Sequence, residues 1–117
     1  MELYRFPAID IGRFGSRFSM THILRIAEGV QAGWAQLPPG GLIGRHRAAG
    51  NQLLLVVAGR AVVRGDNDVQ RTVSAGEGVY WTVGEEHETS SDGGMMAFVL
   101  EGPGVDPANF MRGAQPF

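Results

Sequence analysis

The chain has 117 residues, no cysteine, and a formal charge of −2 from ten basic against twelve acidic residues. That length fits one domain, and the missing thiols exclude disulfides, thiolate ligands and a Cys nucleophile, in keeping with a reducing, cytoplasmic setting. Neither charge sign forms a run, so nucleic acid and anionic membrane are not expected partners; the longest apolar run, Leu53 to Ala58, is far too short to span a bilayer.

Residues 1 to about 17 are broken by Pro and Gly and read as an extended arm that lies along the domain or reaches to a partner subunit. Gly12 to Gly15 form no phosphate loop, because no Gly-Lys-Ser/Thr follows. Beyond the arm, glycine and proline, 18 and 6 in all, cut the chain into short stretches rich in β-branched, aliphatic and aromatic residues. No long 3.6-residue apolar period survives, which is the pattern of an all-β sandwich or barrel. Strands are predicted at 18–26, 30–37, 42–46, 52–58, 61–64, 69–73, 78–83, 87–91 and 95–101. Pro38-Pro39-Gly40-Gly41 is a rigid turn, and Gly65-Asp66-Asn67-Asp68 a hairpin turn, since Gly, Asn and Asp tolerate positive φ. From Gly102, Pro103, Pro107 and Pro116 bar a central strand and leave a tail, with a short turn around 107–111.

Two segments carry chemistry. In the first, Gly40 is followed after five residues by His46, then by Ala48, Gln52 and Gly59. In the second, Gly76, Thr82, Gly84, His87 and Ser91 follow in order. These spacings resemble the two metal-binding motifs of the cupin family, Gly-x5-His-x-His-x3–4-Glu-x6-Gly and Gly-x5-Pro-x-Gly-x2-His-x3-Asn. Every glycine and two histidines match; Ala48 replaces one His, Gln52 the Glu, and the Pro and Asn are absent. The resemblance implies a double-stranded β-helix, that is a jelly-roll barrel of two antiparallel sheets. It spans roughly residues 30–101, with 1–29 as an arm and added strand and 102–117 as a tail. It also implies a divalent transition metal (Zn, Ni, Fe or Mn) held by His46, Gln52 and His87.

Strand alternation indicates what shares a cavity with that site. His46 and Ala48 share a face; Gln52, Leu54 and Val56 share one; and His87, Thr89 and Ser91 share one. The expected cavity thus holds two imidazoles, an amide and two hydroxyls above an aliphatic floor. Imidazoles suit Zn, Ni, Cu or Fe(II), and an amide oxygen is a weaker third donor. Three protein ligands leave open positions, as in catalytic metal sites. An amide in place of a carboxylate leaves the ion its full charge, which favours an anionic, oxygenated guest.

Other polar residues have simpler readings. The third histidine, His22, lies outside both motifs and is not counted as a ligand. Glu86 and Glu88 point away from His87 by alternation and, with Glu85, read as solvated. Arg45 and Arg47 flank His46 on the outer face; Arg60 and Arg64 belong to an exposed strand face; Trp34, Tyr80 and Trp81 are core or interface anchors. The leading expectation is a small metal-binding protein acting on a small oxygenated acid by isomerase, lyase or dioxygenase chemistry. The rivals are a non-catalytic ligand-binding or sensing barrel and a dimeric interaction module. Strands apolar on both faces, 53–57 and 95–100, need a cover outside the barrel, so a homodimer is expected.

Overall fold

The computed structural model describes residues 1–3, 5, 8–25 and 29–110, the side chains at 24, 25, 109 and 110 excepted. The chain folds into β1 (Ile9–Ile11), a 3-10 turn (Arg13–Gly15), β2 (Phe18–Arg25), β3 (Gln31–Leu37), β4 (Gly41–Arg47), β5 (Gln52–Arg64), β6 (Gln70–Ser74), β7 (Gly78–Trp81), β8 (Glu86–Ser91), β9 (Met95–Glu101) and α1 (Pro107–Phe110). Every pairing is antiparallel. One sheet runs β1-β2-β3-β9-β5-β7 and the other β4-β8-β5-β6. The two curl together as the jelly roll that the family resemblance implies, one form of the sandwich or barrel expected from the strand pattern.

Strand β5 belongs to both sheets. The sequence reads as two strands here, interrupted at Gly59, but the chain runs on without a break. A bulge between Val56 and Ala58 bends it, and Gly59 takes φ +76° directly against the backbone of Gly94, where a Cβ would collide with the Gly94 carbonyl oxygen. Glycine thus turns a barrel corner rather than ending a strand. The other three motif glycines, Gly40, Gly76 and Gly84, likewise have positive φ, which accounts for their fixed spacing.

The arm lies on its own barrel. β1 and β2 extend the first sheet past β3, and Arg17 and Leu42 exchange backbone hydrogen bonds of 2.6 and 3.1 Å that tie the arm to β4. β1 was not predicted, because three residues are too few to show an alternation. Ile26, placed at the end of the second strand, and residue 111, placed in the C-terminal turn, lie outside the described residues. In the 65–68 turn it is Asp68 that takes positive φ, 57°.

The core joins Leu37, Leu54, Val56, Ala61, Val63, Val73, Trp81, Met95 and Ala97. These are the inward positions of alternating strands, so burial of apolar area and strand parity define the same interior. Among the described residues no helix is long and apolar enough to cross a membrane.

Candidate functional site

The two motif histidines meet because β4 and β8 pair with His46 directly opposite His87. Directly opposed residues on one face of an antiparallel pair bring their side chains together. Here the ring centroids are 4.4 Å apart, with the planes at 70°. Trp81 stacks on the other face of this pair, its ring 4.3 Å from that of His87 at 20°. Phe14 of the 3-10 turn stacks on His46 at 4.8 Å and 8°. The result is a row of four rings, Phe14–His46–His87–Trp81.

Nδ1 of His46 lies 2.7 Å from the carbonyl oxygen of Gly44; a carbonyl only accepts, so this nitrogen is the donor. His87 is 1% exposed, and its buried Nδ1 has no hydrogen-bond partner. Burial, and secondly the charge of His46, hold its imidazolium down, from an ordinary 6.5 to about 4, with the Glu85 backbone pulling weakly the other way. His87 is therefore neutral at physiological pH. Its lone pair is not contested by a proton.

Gly44 shapes the approach of the arm. A Cβ there would strike the Phe14 carbonyl oxygen, and the Gly44 N–H donates to Ser16 Oγ at 2.8 Å. Phe14 itself sits at φ 59°, a conformation costly for a bulky residue. Its side chain remains 56% exposed, so the ring shields His46 from solvent while itself meeting it.

The remaining expected residues fall as follows. Thr89 and Ser91 are buried on the His87 side of β8, while Glu86, Glu88 and Ser90 alternate with them on the other face. Ser91 Oγ donates to the Arg60 carbonyl at 2.6 Å, so it braces the strand. Ala48 is 3% exposed, Leu54 and Val56 2% each, and the last two belong to the packed core. Gln52 lies on the same inward face of β5, opposite Trp81. No hydrogen bond joins it to either histidine among the described residues. Instead its Nε2 donates to Glu101 Oε2 at 3.1 Å.

Sequence reasoning missed Glu101, Phe14 and Gly44. Glu101 had a readable signal: it continues the inward set Met95, Ala97, Val99 on β9. Register confirms it, since Gln31, Glu101, Gln52 and Trp81 are successive cross-strand partners over β3, β9, β5 and β7. This polar row borders the four rings through Trp81. Asn51 holds the loops around it, accepting from Val83 N at 3.0 Å and donating to Pro103 O at 3.3 Å. Phe14 and Gly44 had no such signal, because their contact depends on where the arm crosses β4.

The outer-face charges pair with one another. Arg45 binds Glu86 at 2.8 Å and Asp68 at 2.6 Å, and Arg64 lies 3.9 Å from Glu88. A surface hollow of about 480 Å³ lies elsewhere, between Asp10, Arg17, Phe18, Gln36 and Pro38, and includes none of the expected site residues.

The donor set suits a divalent ion of the imidazole-binding kind. Two imidazoles stand side by side, and one of them, His87, has a buried, unpartnered nitrogen. Among the described residues no group of three or more His, Cys, Asp or Glu side chains converges; Gln52 is the amide on the inward face.

The family model of the cupin domain matches residues 33–103. No curated protein matches the chain. Among solved structures, an RmlC-like cupin from Shewanella frigidimarina is 18% identical over 89% of both chains, with a TM-score of 0.73. A structure from Thermotoga maritima described as a predicted oxalate decarboxylase is 20% identical over 81% of this chain and 89% of its own, TM-score 0.70. A cupin 2 conserved barrel domain protein from Salinispora arenicola is 18% identical over 89% and 90%, TM-score 0.67. At these identities the likeness is one of fold.

Proposed function

Since the chain belongs to the cupin family, we propose that it is a metal-dependent small-molecule protein whose ion is held by His46 and His87, with Gln52 as the neutral third donor. The observation that carries this reading is the directly opposed, edge-to-face imidazole pair in which His87 is buried, neutral and lacks a partner on Nδ1. When bound, such an ion supplies Lewis acidity toward an oxygen-bearing ligand. The chain's own groups do the rest. Phe14 and Trp81 flank the imidazoles, keep water from two faces of the pair and fix the ring planes. The Gly44 carbonyl fixes the His46 tautomer, so that Nε2 is the nitrogen presented.

The ligand class we propose is a small oxygenated anion that chelates, and the oxalate decarboxylase prediction attached to the Thermotoga maritima structure is compatible with it. A second reading, ligand binding without turnover, is favoured by one observation: the carboxylates nearest His87 in sequence, Glu86 and Glu88, face outward and are paired with arginines, so neither is placed as an acid or base.

Metal analysis of protein purified without affinity-tag metals tests the reading. One equivalent of a divalent transition metal is expected in the wild type and less than a tenth of that in His87→Ala. Equal metal content in both, or none in the wild type after exposure to Zn, Ni, Fe and Mn, would overturn it.

A further inference from the structure

The departure of Gln52 from the family pattern removes a carboxylate from the inward face of β5. The adjacent strand restores one at the same level. Glu101 is the cross-strand partner of Gln52, its side chain points to the same interior, and the two are joined by a hydrogen bond of 3.1 Å. This contact has only one possible sense. A carboxylate offers no hydrogen, so the amide must turn its NH2 to Glu101, and the amide oxygen is thereby left facing away.

We propose that Glu101 is a positioning residue for the site: it fixes Gln52 so that Oε1 is the atom offered to a bound ion, and it supplies from one residue further out the negative charge that Gln52 lacks. The inference rests on the metal reading above.

Three observations support it. First, free rotation of an amide about its last torsion would offer nitrogen as readily as oxygen, and nitrogen of an amide is no metal donor; an acceptor locked onto Nε2 removes that ambiguity. Second, a hydrogen bond to a charged acceptor polarises the amide and raises the negative charge on its oxygen. Partners of this kind behind metal ligands commonly govern affinity by 10- to 100-fold. Third, the position is built rather than incidental. Gly50 leaves room for Glu101, since a Cβ at Gly50 would come within 3.2 Å of Glu101 Cγ, and both partners are only partly exposed, Glu101 closing the inward run of Met95, Ala97 and Val99.

The site therefore carries one carboxylate, as the fuller family pattern does, moved from β5 to β9. An ion held there has one of its two charges offset at slightly longer range.

Isothermal titration of Zn(II) into metal-free protein tests this with two variants. Glu101→Gln should weaken Zn(II) binding at least about ten-fold. The exchanged pair Gln52→Glu with Glu101→Gln keeps the hydrogen bond in reverse and the same total charge, and should return affinity to within about three-fold of wild type; metal-free Glu101→Gln should keep the wild-type circular dichroism spectrum and melting temperature, which a merely structural role for Glu101 does not allow. The exchanged variant also retains the strand-to-strand contact, so it reports even if the single variant does not fold. Wild type binding Zn(II) while Glu101→Gln binds equally well would overturn this inference alone. An exchanged pair as weak as the single variant would do so too. Wild type failing to bind Zn(II), Ni(II), Fe(II) or Mn(II) would overturn the metal reading and this inference with it.

Discussion

His87 concentrates the physical cost of the site in one side chain. An imidazole that is 1% exposed, with Nδ1 unpartnered, is held neutral, its pKa lowered to about 4, first by burial and then by His46. In the unfolded chain the same group titrates near 6.5. Between those values the unfolded state binds more protons, so stability rises with pH across that window. The contribution is complete above about 6.5 and is lost as pH falls toward 4, for a total on the order of 3 kcal/mol. The melting temperature of the metal-free protein should accordingly fall from pH 6.5 to pH 4, and His87→Gln should flatten that dependence; a wild-type profile identical to that of the variant would show that His87 is solvated. The two histidines were legible in the sequence because spacing to four glycines marked them. Glu101 was hidden by its own position: an acidic residue before Gly102-Pro103 reads as the exit of a strand, and only its parity with Met95, Ala97 and Val99 shows that it faces in.

At the level of elements, the site depends on two backbone crossings. One is the arm over β4, possible only because Gly44 has no Cβ to meet the Phe14 carbonyl. Gly44→Ala should cost about 1–3 kcal/mol, the usual price of overpacking, and should release Phe14 from His46. Gly12→Ala is the control, since nothing lies within 4 Å of a Cβ there. Chemical denaturation of both variants checks this, and a Gly44→Ala protein as stable as Gly12→Ala would mean the arm does not sit on β4. The other crossing is the corner at Gly59. The sequence marked Gly59 as a boundary because a strand-interior glycine and a strand-ending glycine look alike. What distinguishes them is the neighbour, the Gly94 backbone, which lies 35 residues away in the chain by residue number. Local pattern shows strands and turns well. It does not show which strand will cross which.

For the whole molecule, alternation that fills the barrel also loads its outer surface. Thr21, Trp34, Phe98, Leu55 and Gly78 are successive cross-strand partners from β2 to β7, on the face opposite Ala35, Ala97 and Leu54. Trp34 and Phe98 pack edge to face at 5.1 Å, and Val57 nearby is 47% exposed. We propose that a second copy covers this face in a two-fold homodimer. Light scattering at micromolar concentration should give twice the chain mass, and Phe98→Glu should halve it; a monomeric wild type would contradict the proposal. The all-β barrel itself was legible from composition and punctuation, because glycine spacing and period-two burial are properties of single strands, whereas closure by Arg17 and Leu42 and the row through Glu101 are properties of their assembly. The central claim is that His46 and His87 hold one ion together. Anomalous scattering from crystals grown with Ni(II) tests it most directly: a single strong peak is expected about 2.0–2.2 Å from a ring nitrogen of each histidine, and a peak at neither imidazole, or at His22 alone, would contradict the account.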